Sequence, residues 1–94
     1  MLKVVYIYEV SKEKQDEYQK VTAEKIKPFW ESHGCQAYKI WQSQEDPNAF
    51  MKEMLFTDRA ALQGAMAVPE AEAIKELFFQ FAVVKSKTAY TLTV

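Results

Sequence analysis

"LKVVYIYEV", residues 2–10, reads as a β-strand, since it is β-branched and aromatic and runs into the turn residue Ser11. A side-chain period of two sorts it into Leu2, Val4, Tyr6, Tyr8 and Val10 on one face and Lys3, Val5, Ile7 and Glu9 on the other. Both faces are apolar at the middle. Such a strand is covered on both sides, and what covers each side decides the fold.

Downstream, Ser11 is placed as a helix N-cap, with Glu13 in the first turn where the helix dipole favours an acid. Tyr18, Val21, Thr22, Ile26, Phe29, Trp30 and His33 then recur at three- and four-residue spacing, the stripe of an amphipathic helix. Pro28 falls inside that stripe and predicts a kink or a restart, because it removes one helical hydrogen bond. Gly34 follows the last stripe residue and fits the left-handed position that ends a helix. "CQAYKIWQS" (35–43) is a second strand, with Trp41 on one face and Tyr38 and Ile40 on the other. "QEDPNA" (44–49) is a turn and "FMKEMLF" (50–56) returns as a third strand.

Asp58 caps a further helix through "RAALQGAMA", and Pro69, read at an N1 position, starts or restarts one whose buried stripe is Ile74, Leu77, Phe78 and Phe81. "VKSKTAYTLTV" (84–94) is the last strand. The order β-α-β-β-α-β is the ferredoxin-like arrangement, α+β with an antiparallel sheet and both helices on one face. Two helices leave the second face bare, yet the strands carry apolar side chains there too. A monomer would expose a patch beyond what soluble proteins tolerate, so the pattern predicts a homodimer packed sheet to sheet, a dimeric α/β barrel.

Composition narrows the rest. The 94 residues, 49% of them hydrophobic, suit a single domain over 1–94. One cysteine forms no internal disulfide, which points to a reducing cytoplasmic setting. The apolar run Val4 to Tyr8 is too short for a signal peptide, and no stretch reaches the length of a membrane span. A net charge of −1 argues against a nucleic-acid partner, and Lys12, Lys14, Lys20, Lys25 and Lys27 alternate with acids as on a solvated helix face.

Three stretches carry a family resemblance: "VVYIYEVSKEKQDEY", "DPNAFMKEMLFTD" and "RAALQGAMAVPE". Together they resemble the antibiotic-biosynthesis-monooxygenase-like (ABM) domains of the dimeric α+β barrel superfamily, over nearly the whole chain. The resemblance implies that fold, a homodimer, and relatives that include cofactor-independent monooxygenases of quinol-like aromatics and heme-degrading enzymes. The oxygenases often carry a histidine on each side of the proline in the broken helix, where this chain has Ala65 and Glu70. The heme-degrading members use an asparagine on the first strand and a tryptophan ending the third, where Tyr6 or Tyr8 and Phe56 stand.

His33 and Cys35 lie two positions apart, but a chain reversal at Gly34 separates a helix end from a strand start, so Cys35 reads as a small buried residue. His33 reads first as a packed residue at the helix C-terminus and second as a proton-transfer base. Tyr6, Tyr8, Trp30, Trp41 and Phe56 are the aromatics for a substrate pocket; with His33 they are expected to line a cavity of about 300 Å³ or more between the sheet and the first helix, opened by the Pro28 kink. Glu53, mid-strand, is either a rim charge or a buried carboxylate with a raised pKa, and in the latter case the base of an isomerase or lyase. One histidine and one cysteine make no metal site, and no phosphate loop is present, so no cofactor is expected. Two readings of function follow: a cofactor-independent monooxygenase with His33 as catalytic base, or a non-catalytic dimeric domain that binds a small aromatic or apolar molecule.

Overall fold

The computed structural model describes residues 1–94. Four strands form one antiparallel sheet: β1 (Leu2–Glu9), β2 (Ala37–Gln42), β3 (Ala49–Phe56) and β4 (Val83–Thr91), in the order β2-β3-β1-β4. This is the ferredoxin-like order, with the first strand central. Leu2, Val4, Tyr6, Tyr8 and Val10 are buried beneath the helices, while Lys3 and Ile7 on the other face are exposed. A second helical layer covers only one face, so β1 alternates in burial although its sequence is apolar on both sides.

Between β1 and β2 the chain passes through a 3₁₀ turn (Lys12–Lys14), α1 (Gln15–Val21), a π-helical segment (Thr22–Ile26) and α2 (Lys27–Ser32). Ser11 does not cap this helix with its side chain; its carbonyl instead accepts Lys14 N–H at 2.9 Å, closing the tight first turn. Pro28 acts one turn upstream of where a simple kink was expected. Having no N–H, it cannot take up the carbonyl four residues back, and the helix widens ahead of it: Lys27 N–H bonds Thr22 O in the five-residue register. Gly34, at φ +100°, ends α2 as anticipated, and Cys35 N–H returns to Trp30 O at 3.0 Å.

After β3, Asp58 accepts Ala61 N–H at 2.8 Å and caps α3 (Arg59–Ala67). Val68 is then extended, as the residue before a proline tends to be, so Pro69 lies in a turn two residues ahead of α4 (Ala71–Phe79) rather than at its first position. Tyr8, Tyr18, Phe50 and Phe78 meet edge-on, stacked or tilted at the centre of the core, and the Tyr8 and Tyr18 hydroxyls bond each other there. Burial pushes Tyr8 far above the usual phenol range; it pushes Tyr18 up to about 12, with the hydroxyls of Tyr8 and Thr22 acting the other way.

Candidate active site

Residues directly opposite in an antiparallel sheet point to the same face, so register alone assembles a row across the helix-covered side. Ile40 pairs with Lys52, Lys52 with Tyr6, and Tyr6 with Lys87. The row sets a lysine on each side of Tyr6 in a face that is otherwise apolar. Lys52 is only 4% exposed. Its Nζ lies 3.5 Å from the centroid of the Phe78 ring on α4 and 4.0 Å from that of Tyr6, with the Tyr38 ring at 5.8 Å. The salt bridges of the protein, Lys3–Glu53, Lys75–Glu72 and Lys85–Glu9, all leave it out. Burial, reinforced by the Lys87 charge, brings the Lys52 ammonium down to about 7. The ring faces offset part of this, since desolvated cation–π contacts are worth about 2 kcal/mol, and Cys35 acts in the same direction.

Lys52 reaches a small cavity of about 30 Å³, room for a water or two, lined with Tyr6, Trp30, Met54, Met66, Ile74 and Phe78. Tyr6, Met66 and Lys75 also line a wider cleft of about 410 Å³ between β1, β4, α3 and α4, into which Lys87 projects. The cleft is large enough for a small aromatic ligand, and the inner cavity that holds the Lys52 amine shares Tyr6, Met66 and Lys75 with it. An amine near pKa 7 is present in both protonation states at neutral pH, so it can take a proton from a substrate and then hold the resulting anion as an ammonium.

The aromatics expected to share one pocket are divided. Tyr6 and Trp30 line the inner cavity. Tyr8 and Phe56 are sealed in the core with no exposed surface. Trp41 sits on the open face of the sheet, half exposed, where its Nε1 donates to Glu53. His33 stacks on Phe29 at 4.3 Å, and its Nδ1 bonds Phe29 O at 2.8 Å and the Ser32 hydroxyl at 3.0 Å, away from Lys52 and its cavities. A void of about 520 Å³ does lie between the first helical segments and the sheet, lined in part by Thr22, Lys27, Tyr38, Ile40 and Trp41. It opens at the β2 edge and shares only Trp41 with the expected set.

Two further expectations resolve by geometry. Glu53 is a rim charge on the open face: Lys3 at 2.9 Å, and then Trp41, hold its carboxyl below the usual range, so it is no buried base of raised pKa. Cys35 is buried with its thiol donating to Ala37 O at 3.2 Å, and burial pushes that thiol up, away from the thiolate a nucleophile needs. Lys52 is not among the residues that the sequence singles out. Its signal was parity: in "FMKEMLF" it shares its face with Phe50, Met54 and Phe56, whereas Glu53 does not.

The comparisons agree with this architecture. No curated protein matches the chain in sequence. SnoaB, a cofactor-independent oxygenase from Streptomyces nogalater, superposes with a TM-score of 0.86 at 16% identity, covering 99% of this chain and 93% of that one. HapK from Hahella chejuensis gives 0.84 at 14% identity, with the same coverage of 99% and 93%. A conserved protein from Methanosarcina mazei Go1 gives 0.76 at 20% identity over 95% of this chain and 89% of that one. These likenesses carry the fold. The family model described as "ABM: Antibiotic biosynthesis monooxygenase" matches residues 1–77, which span β1 to most of α4 and include Tyr6, Lys52 and the α3–α4 break. By that match the chain belongs to the antibiotic biosynthesis monooxygenase (ABM) family.

Proposed function

We propose that this chain is a cofactor-independent oxygenase of a quinol-type aromatic, working as a homodimer in the cytoplasm, with Lys52 and not His33 as its base. The observation that carries the reading is the Lys52 amine, buried without a carboxylate in a small cavity that shares Tyr6, Met66 and Lys75 with the adjoining cleft. Chemistry of this kind asks a protein to bind, deprotonate and desolvate an electron-rich ring that then reduces oxygen itself. Tyr6 orients the ring, Lys52 takes the phenolic proton, and the ammonium so formed sits against the aryloxide in a dry site where the attraction is strong. Oxygen uptake with a panel of hydroquinones and naphthoquinols tests it. Turnover that is lost in Lys52→Met and kept in His33→Ala supports the assignment; no uptake above the uncatalysed rate with any member removes the oxygenase reading.

The homodimer is supported by the open face. Val5, Met51, Leu55, Tyr90 and Leu92 line a mostly apolar trough of about 600 Å³ there, with Ile7 and Trp41 exposed beside it. A second sheet packed on it removes this surface from water. No helix is long and apolar enough to cross a membrane, and the free Cys35 is at home in a reducing compartment.

A second reading, a non-catalytic binding domain, has one observation in its favour. Ala65, where the oxygenase pattern has a histidine, is buried and offers nothing titratable. Saturable binding of a quinol with no oxygen uptake would select it.

A further inference from the structure

We propose that Lys52 is also a covalent site, at which its amine condenses with a small oxo carboxylate held in the adjoining cleft by Lys87. Three observations bear on this. First, the amine lies in a cavity that shares Tyr6, Met66 and Lys75 with the cleft, and no acid keeps it protonated, since the other residues lining that cavity are Trp30, Met54, Ile74, Phe78 and Phe79. Second, a cation faces it across the sheet: Lys52 and Lys87 approach the same Tyr6 ring at 4.0 and 5.4 Å. A desolvated lysine beside a second positive charge is the arrangement that makes an amine nucleophilic at neutral pH. Its pKa near 7 accords with this.

Third, the cleft has a sign. Lys75 and Lys87 are its charged lining, and Lys75 is partly neutralised by Glu72 at 3.0 Å while Lys87 is in no salt bridge. A carboxylate entering the cleft meets Lys87, and a carbonyl carbon one or two bonds from that carboxylate is then directed toward Tyr6 and the inner cavity. The inner cavity's 30 Å³ admits a carbonyl group and not a ring, which restricts the partner to a small oxo acid.

The step balances without an oxidant. The Nζ lone pair attacks the carbonyl carbon, a C–N bond forms, and the C=O π pair moves to oxygen, which takes the proton that nitrogen gives up. The hydroxyl of this carbinolamine then leaves as water with a proton from the solvent in the cleft, giving a protonated C=N. Nothing is oxidised or reduced, so the inference stands apart from the oxygenase reading and is tested without oxygen.

The test treats the full chain under nitrogen with pyruvate or acetoacetate and cyanoborohydride, which reduces the imine to a stable amine that peptide mapping locates. Expected is modification of Lys52 about a hundredfold faster than of the exposed lysines. Normalised to their reaction with a free alkyl amine, acetone should react at Lys52 about tenfold more slowly than pyruvate, and Lys87→Gln should erase that normalised difference. Adducts spread over the exposed lysines with no excess at Lys52 would overturn the covalent site. Equal normalised rates for pyruvate and acetone in the unsubstituted protein would overturn the anion selection by Lys87. Neither result touches the proton-transfer role, which is read by oxygen uptake.

Discussion

Lys52 Nζ sits 3.5 Å from the centre of the Phe78 ring, an ammonium on β3 held against the aromatic face of a helix residue with no acid beside it. Its depressed pKa, about 7 against an ordinary 10.5, has a thermodynamic consequence. Between those values the unfolded chain binds a proton that the folded chain does not, so this group's contribution to stability rises with pH from about 7 toward 10.5. Below about 7 both states carry the charge and the full burial penalty applies.

Lys52→Met fills the same space without a charge. At pH 6 it should stabilise the fold by about 1–3 kcal/mol, after allowance for the lost cation–π contacts. By pH 9 most of that gain should have gone, because the lysine is then buried neutral. Urea denaturation of both proteins at the two pH values measures the difference directly. An equal gain at both would mean that Lys52 titrates as an ordinary surface lysine.

His33→Ala should leave the Lys52 site untouched. The imidazole stacks on Phe29 and bonds its carbonyl at the end of α2, contacts worth about 1 kcal/mol together. The expected signature is a small drop in urea midpoint with quinol turnover unchanged. Turnover falling as far as in Lys52→Met would transfer the base to His33.

The open sheet face gives a test of assembly. Met51 pairs with Ile7 on one side and Trp41 on the other, at the middle of that face. Met51→Lys costs a monomer little, since the side chain there is only half-buried. In a sheet-to-sheet dimer it buries an unpaired charge, costing several kcal/mol. Sedimentation equilibrium should then show dimer becoming folded monomer. A native protein already monomeric at micromolar concentration would sink the dimer.

The fold was legible because strand parity, a stripe of three- and four-residue spacing and the punctuation at Gly34 and Asp58 all act locally. Pro28 was legible as a disturbance but not as a π-helical turn, since the carbonyl it leaves unpaired can be accommodated by widening the helix as well as by bending it. The site was less legible. His33 stands out as the chain's only histidine, but its contacts are local, and Cys35 is the small buried residue that its position suggests. What assembles the site is register: Lys52, Tyr6 and Lys87 are far apart in sequence and become one row only when β3, β1 and β4 pair. A one-residue slip would have turned Glu53 inward instead.

Gly34→Ala isolates a backbone effect. Nothing lies within 4 Å of where the new methyl would sit, so no packing changes, but φ stays at +100°. The cost should be about 1–2 kcal/mol, taken from a turn that links α2 to β2. A melting temperature unchanged by the substitution would mean that the turn can relax to negative φ.

Two buried tyrosines should respond in opposite ways to loss of their hydroxyls. The Tyr18 hydroxyl bonds that of Tyr8, so Tyr18→Phe strands a hydroxyl with no exposed surface and should cost about 1–3 kcal/mol. The Tyr38 hydroxyl is buried at the groove between the first helical segments and β2 and has no partner. Thr22 Oγ1, near enough to Tyr18 to act on its titration, is likewise outside hydrogen-bonding geometry. Tyr38→Phe removes a desolvated group that gains nothing from its burial, so the variant should be as stable as the parent or up to about 1 kcal/mol more so. Parallel urea titrations decide it. If Tyr38→Phe destabilises as much as Tyr18→Phe, the Tyr38 hydroxyl has a bound partner in solution, and the groove at the β2 edge holds an ordered molecule.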